Sequence, residues 1–369
     1  MRVLAFADLH LDAPFAGRGP RLARLRRDEL KNTLGRIIQL AGRLEVDALM
    51  CAGDLYEHEL FTPDTVQMLR RLFDEIAPIP VLVSPGNHDW FGPGSIYVTA
   101  DWSPNVHIFG SSKMTPYDGI DGVRVWGFAH RNPSQTENPL GRFRVEGQGL
   151  HLGLLHGSEV GGWAGVAQSH PEKIRHAPFR SENLTRAGLT HGIVGHYHSP
   201  FMGEFHTYPG APAPLSFKDQ GRGGAVEMRF SAQGALIERT SHRVTSLPVH
   251  DLRVDVSGCL DFGEIQDRME AALESLEGVA RVTICGELGS AVELDLAVLS
   301  QRRGQLQDLV VRSGSIYPGY DIAAIRDEST VRGAFVRDLM AADLDDDERH
   351  RVIITGLRAL EGRNDLAVG

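Results

Sequence analysis

Apolar runs of four to six residues alternate with longer segments of helical period through the first third of the chain. Val3 to Ala7 reads as a buried strand. Arg27 to Leu44 carries apolar residues at Leu30, Leu34, Ile37, Ile38 and Ala41, the spacing of one helix face. Val46 to Cys51 predicts a second strand, Asp64 to Ile76 a helix, and Ile79 to Val83 a third strand. Strand and helix in alternation predict a parallel sheet with its functional loops at the carboxyl ends of the strands. Shorter runs at Val106 to Phe109, Val123 to Phe128, His151 to Leu155, Gly192 to Val194, Ala225 to Phe230 and Leu236 to Thr240 predict a second sheet packed on the first. The expected class is α/β, a four-layer α-β-β-α sandwich with helices outside. Gly157 to Arg180, rich in glycine and carrying Trp163, predicts a loop at the cleft rim in contact with substrate.

A different pattern begins near Leu247. His250 to Val256 reads as strand, Phe262 to Leu276 as amphipathic helix, Val279 to Cys285 as strand, Leu294 to Arg302 as a short helix, and Asp308 to Ser313 as a further run. In the tail, Val331, Ala334, Phe335 and Leu339 mark a helix face. An acidic stretch, Asp343 to Glu348, follows, and then a second helix through Val352, Ile353, Leu357 and Leu360. At 369 residues the chain exceeds the length at which one core stops growing, about 250–300 residues, so more than one domain is expected. We place them at 1–246, 247–325 and 326–369. The hydrophobic fraction of 42% supplies a core, and 41 glycines suit many strands joined by tight turns. The sequence lacks the apolar run of about 18 residues that a membrane span needs, and no signal peptide precedes the first strand, so a cytoplasmic location is expected. The three cysteines, Cys51, Cys259 and Cys285, lack Cys-x-x-Cys spacing, which argues against a disulfide framework or a zinc ribbon.

Five segments that follow predicted strands hold the candidate chemistry: Asp8-Leu9-His10, Gly53-Asp54, Gly86-Asn87-His88-Asp89, His156-Gly157 and Gly195-His196-Tyr197-His198. A phosphate diester repels a nucleophile, and two cations about 3.5–4 Å apart offset that charge and align attack with the leaving oxygen. Such a pair needs a bridging carboxylate, for which Asp54 is placed. Imidazole, carboxylate and amide oxygen suit manganese, iron or zinc. Asp8 and His10, two residues apart at a strand end, face one ion, with His198 completing its shell. Asn87, His156 and His196 are assigned to the second.

These strings, in this order, resemble the calcineurin-like metallophosphoesterase superfamily. Asp8-Leu9-His10-Leu11-Asp12-Ala13-Pro14-Phe15 and Tyr208-Pro209-Gly210 narrow the likeness to DNA repair nucleases of the SbcD and YhaO type, over roughly residues 1 to 245. The resemblance implies two divalent ions, most often Mn²⁺ with Fe²⁺, Zn²⁺ or Mg²⁺ as alternatives. It also implies His88 as the group that stabilises the transition state or protonates the leaving oxygen, with Asp89 orienting it. DNA is the implied substrate, the unit after residue 247 the implied cap, and the tail helices the implied contact with an SbcC-like coiled-coil ATPase; a homodimer is implied as well. Archaeal and eukaryotic relatives carry a histidine three residues after the bridging aspartate, to guide the substrate's phosphate, where bacterial members can carry an acidic residue. Here that residue is Glu57, with His58 next to it. We expect Glu57, His58, Tyr197 and Tyr208 to meet substrate.

Charge complicates the DNA reading. The net charge is −10, without the basic excess common in DNA-binding domains. Arg18, Arg21, Arg24, Arg26, Arg27 and Lys31 form the one basic run near the motif residues, read equally as a DNA contact or a solvated helix face. His107, His130, His151, His170, His176, His191, His206, His242, His250 and His350 lack ligand spacing and receive no role, although His206 is placed to line the cleft. Two other readings share the ligand set: a phosphodiesterase or phosphatase for small nucleotides, and a weakly catalytic scaffold for DNA or an ATPase.

Overall fold

The computed structural model describes residues 1–16, 19–134, 137–161, 176–219, 223–289 and 292–360; Arg18, Trp163 and His170 lie outside them. The chain divides into two compact units, Met1–His250 and Asp251–Gly369.

In the first unit β1 (Arg2–Phe6), β2 (Ala48–Cys51), β3 (Val81–Val83) and β4 (Val106–Ile108) are joined in parallel. Helix α1 (Pro20–Leu44) makes the crossover from β1 to β2 and α2 (Pro63–Asp74) the crossover from β2 to β3. Proline in the first turn starts each helix, where a missing N–H costs nothing, and the Thr62 hydroxyl caps α2 by accepting from Thr65 N–H. The α1 helix begins seven residues before the predicted start because its first turns bury Leu22, Ala23 and Arg26.

The alternation of side chains along the strands sets the layers. Leu4, Phe6, Leu49, Cys51, Val81 and Val83 point toward α1 and α2. Val3, Ala5, Ala48, Met50 and Leu82 point the other way and meet Val125, Leu152, Leu154 and Ile193 of a second sheet. That sheet runs β5-β6-β7-β8-β10-β9, with β5 (Thr115–Ile120), β6 (Val123–Gly127), β7 (Leu150–His156), β8 (His191–Gly195), β9 (Phe201–Met202) and β10 (His206–Tyr208). Its outer face packs Trp126, Leu155 and Val194 with Leu184 and Ala187 of α4 (Ser181–Ala187); the short helix α3 (Ile96–Thr99) follows the β3 loop. The four-layer sandwich expected from the sequence is the observed class.

The distribution of strands differs from expectation. Val106–Ile108, β11 (Ala225–Phe230) and β12 (Leu236–His242) belong to the first sheet, ordered β12-β11-β1-β2-β3-β4. Hydrophobic period identifies a strand but not its neighbour, and here the chain returns antiparallel along β1, pairing Val3 with Met228. Strands β5, β9 and β10 had no apolar signal because β5 buries none of its residues fully and the other two are two to three residues long. Arg26 leaves the basic run altogether: it is buried, lies over Phe15 and donates to the Pro214 carbonyl.

The second unit has its own core. β13 (Val249–Asp255), β14 (Val279–Gly289) and β15 (Asp308–Gly319) form a sheet covered by α5 (Phe262–Leu273) and α6 (Leu296–Gln301), with Val254, Ile265, Met269, Val282 and Leu299 buried between them. Helices α7 (Ile322–Arg326), α8 (Val331–Ala341) and α9 (Asp346–Leu360) bury Ile325, Val336, Ile353 and Leu357 together. Phe335 and Leu339 turn toward this cluster, but Val331, read as part of the same face, is 74% exposed. No helix among the described residues is long and apolar enough to cross a membrane.

Candidate metal centre

The two sheets converge at the carboxyl ends of β1, β2, β7 and β8, where only small residues fit. A side chain added at Gly195 would strike the Ala52 carbonyl and the Ala7 methyl, the latter at 2.9 Å. Gly53, in the left-handed region at φ 87°, has the His156 Nδ1 position 2.6 Å from where its Cβ would be. This close approach brings donors from separate sheets into one buried cluster.

The loops after β1 and β2 run side by side, Asp8 N–H donating to Gly53 O at 3.0 Å and His10 N–H to Asp54 O at 2.9 Å. Asp8, His10, Asp54 and His196 all have positive φ, at 56°, 51°, 51° and 104°. Non-glycine residues rarely adopt that conformation, and such strain gathers at functional sites. It corrects the expected route to the site: Asp8 and His10 face one point not by strand alternation, since β1 ends at Phe6, but because both lie in left-handed backbone.

Each carboxylate is anchored by backbone. Asp8 Oδ1 accepts from His196 N–H at 2.9 Å and Asp54 Oδ1 from His88 N–H at 2.8 Å. Ligand atoms of Asp8, His10 and His198 lie within 4.8 Å of one another, as do those of Asp8, Asp54 and His156. Asp54 Oδ2 stands between the halves, 3.6 Å from His10 Nε2 and 3.2 Å from His156 Nε2. The Asn87 amide oxygen is 3.1 Å from His156 Nε2 and 3.3 Å from His196 Nδ1. Neighbouring donors around an ion held at about 2.1 Å stand about 3 Å apart, so these separations fit divalent ions. The orphaned His10 Nε2, buried without a hydrogen-bond partner, supports the same fit. All seven residues read from sequence as ligands are in the cluster.

Imidazole tautomers are fixed from behind. His156 Nδ1–H donates to Ala52 O at 2.8 Å and His10 Nδ1–H to Glu57 Oε1 at 2.7 Å, turning both Nε2 atoms into the cluster. Burial alone would lower His156, but Asp54 and Asp8 beside it raise it to about 9, so a proton there balances the buried carboxylates of the ion-free protein. Burial and the charge of His156 push His196 well down.

Four role assignments change. Asp89, expected to orient His88, instead accepts from Asp54 N–H at 3.0 Å, Leu55 N–H at 2.7 Å, Gly86 N–H at 2.6 Å and the Tyr97 hydroxyl at 2.5 Å, tying two ligand loops together. The carboxylate on His88 is Glu57, whose Oε2 is 3.0 Å from His88 Nδ1. Tyr208, expected at the substrate, is fully buried; its hydroxyl donates to Gly157 O at 2.7 Å and accepts from Glu159 N–H at 3.0 Å, pinning the loop after β7. Tyr197 packs on Tyr208 and donates to Glu159 O at 3.2 Å, so it braces the same loop. His206 is buried against Phe179, Phe201 and Tyr208, not in the cleft. Two neighbours of the centre, His130 and His176, carry no motif that marks them: the first donates through Nε2 to His156 O at 2.8 Å, and the second lies 5.3 Å from the His196 ring.

Comparison with known proteins places this geometry. The family described as calcineurin-like phosphoesterase matches residues 1–211, more than half the chain and every motif above. The chain belongs to the calcineurin-like phosphoesterase family. Calcineurin-like phosphoesterases are metal-dependent hydrolases with a dinuclear divalent centre, which the donor set fits. The chain is 29% identical over 233 residues to the uncharacterized metallophosphoesterase YhaO of Bacillus subtilis (strain 168), a match covering 59% of this chain and 54% of that protein. It thus spans about half the length of that curated relative. Solved structures with some likeness include TT1561 of Thermus thermophilus (11% identity, 66% of this chain and 98% of that one, TM-score 0.38). Another is a purple acid phosphatase from yellow lupin (Lupinus luteus) seeds (14% identity, 65% and 53%, TM-score 0.38).

Proposed function

We propose that the chain is a two-metal phosphodiesterase that cleaves DNA in repair, by exonuclease action, endonuclease action or both, together with an SbcC-like ATPase. The observation that carries the diester reading is the position of His88 at the rim of the donor cluster. Its side chain is 46% exposed, within reach of a bound phosphate, and its Nδ1 is engaged by Glu57. Nε2 is therefore the end that gives a proton to a departing oxygen. An alkoxide such as the 3′ oxygen of DNA is a poor leaving group and gains most from such an acid.

In this reading Asp8, His10 and His198 hold one ion, Asn87, His156 and His196 the other, and Asp54 both. When bound, the ions supply positive charge to the phosphate and make water more acidic. The carboxylate, imidazole and amide donors suit manganese, iron or zinc, and manganese is proposed on the resemblance to the nucleases, with magnesium as a further alternative. Glu57 holds His88 in place, and Asn87 and His88 face the charge that develops on phosphorus. The segment 247–325 is proposed to select the form of DNA, the α8 and α9 helices to dock on the ATPase, and the chain to work as a dimer.

A phosphodiesterase or phosphatase for small nucleotides uses the same donors, and a scaffold with little turnover keeps the same fold. Cleavage of an end-labelled duplex and of a single-stranded circle, with manganese present and Asp54→Ala as control, separates these readings. Cutting that the variant loses supports the nuclease. Turnover of bis(p-nitrophenyl) phosphate without DNA cutting overturns it in favour of the small-molecule reading, and no turnover of either favours the scaffold.

A further inference from the structure

Beside His88 the protein surface is aromatic. His58 donates its backbone N–H to the His88 carbonyl at 3.0 Å, and its imidazole stacks on the Trp90 indole with centroids 3.8 Å apart and planes 30° from parallel. Tyr56 lies beneath, its ring 6.3 Å from His58, and Tyr97 meets Tyr56 edge-on at 5.3 Å while donating its hydroxyl to Asp89. The stacked pair is therefore rooted in the framework that sets the ligand loops, and its position relative to His88 is fixed. Yet His58 and Trp90 are only partly buried, and Leu60, two residues after His58, is 47% exposed. A rigid, partly exposed indole beside a phosphate site offers a π-face to whatever planar group the phosphate carries.

We propose that His58 and Trp90 form a nucleobase subsite, stacking the base of the nucleoside that leaves as His88 protonates its oxygen. The occupant follows from continuity with the phosphate site: a base joined through one sugar to the phosphate at His88 is the planar group held next to this surface. Stacking is also the contact an acidic protein can offer, since a net charge of −10 provides little general attraction for a phosphate backbone. The subsite rests on the phosphodiesterase reading for the place of the phosphate, but makes a separate claim, that the ligand recognised is a nucleotide and not any phosphate ester.

The test is calorimetric titration of the manganese-loaded full chain with thymidine 3′-monophosphate and with the same compound bearing hydrogen in place of the base. The base-bearing compound is expected to bind about tenfold more tightly, the scale of one base stacked on an aromatic ring. Trp90→Ala should bring the ratio close to one, and Trp90→Phe, which keeps a π-face and guards against a folding defect, should restore most of it. Equal affinities in the wild type, or an advantage that survives Trp90→Ala, overturn the subsite. Because binding is read without turnover, the outcome is independent of the nuclease reading: a Trp90-dependent base advantage in a protein that leaves DNA uncut keeps the subsite and discards the nuclease.

Discussion

Glu57 Oε2 lies 3.0 Å from Nδ1 of His88, while its other oxygen takes the Nδ1–H of His10 at 2.7 Å. One carboxylate thus orients a candidate ion ligand and the candidate acid, whose rings meet edge-on at 4.7 Å. By motif alone, Glu57 stands for the loss of a phosphate-guiding histidine. In the fold it joins the buried half of the site to its exposed rim.

Glu57 also sets protonation. Its hydrogen bond, against the effect of burial, raises His88 to about 9. Burial would raise Glu57, but the bonds from His10 and His88 hold it at about 2. The charged pair thus contributes to stability fully below the ordinary histidine value of about 6.5, and the contribution fades as pH rises through about 9. On the acid side it is present above about 4.5 and is lost as pH falls through about 2. In the chelated protein, Glu57→Gln should lower the melting temperature most between pH 5 and 6.5 and much less near pH 10, and NMR should show the His88 titration midpoint falling toward its ordinary value. A midpoint unmoved by the substitution would detach Glu57 from His88.

Asp54 Oδ2 lies within 3.6 Å of imidazole nitrogens in both halves of the cluster, and its replacement should disable both ion sites. Asp54→Ala is expected to reduce bound manganese from about two ions per chain to one or none, with turnover down by a hundredfold or more. The wild type should gain about 2.7 kcal/mol for each ion held at a hundredfold excess over its dissociation constant, and the variant little of that. Elemental analysis of the dialysed protein and thermal melts with and without manganese check both numbers. Two tightly held ions in Asp54→Ala would remove it from the centre.

Much of this site was legible because its residues sit in short strings at strand ends. Ala52-Gly53-Asp54 and Gly195-His196-Tyr197-His198 combine a buried run, a glycine that allows close approach, and donors of one chemical kind. What could not be read were contacts between strings. Asp89 follows His88 directly, yet its carboxylate turns inward to three backbone N–H groups and Tyr97, because unpaired donors in a buried loop cost more than an unsupported rim histidine. The sheet membership of β4, β11 and β12 was hidden for the same reason: an apolar period describes one strand's faces and says nothing of its neighbour.

Gly86 tests how tightly the loops close. An added Cβ there would run into Asp54 Oδ1 and stand 2.8 Å from both Asp54 N and His156 Nδ1. Backbone and ligand side chains must shift together, so Gly86→Ala should cost about 1–3 kcal/mol in chemical denaturation and most of the metal affinity. Gly94, with open space around its missing Cβ but a positive φ of 86°, provides the contrast. Gly94→Ala carries only backbone strain and should keep its ions. Normal metal content in Gly86→Ala would mean that the loops are looser than the distances imply.

Tyr208 separates packing from recognition. Its buried hydroxyl bridges Gly157 O and Glu159 N–H, so Tyr208→Phe leaves two backbone groups of the β7 loop without their partner. The expected loss is about 1–2 kcal/mol of stability, read from denaturant midpoints at constant slope. With no surface open to substrate, Tyr208 should leave KM for a small diester within about twofold, whereas any effect through the loop that carries His156 appears in kcat. A large rise in KM with unchanged kcat and stability would return Tyr208 to the substrate side, where its sequence motif puts it.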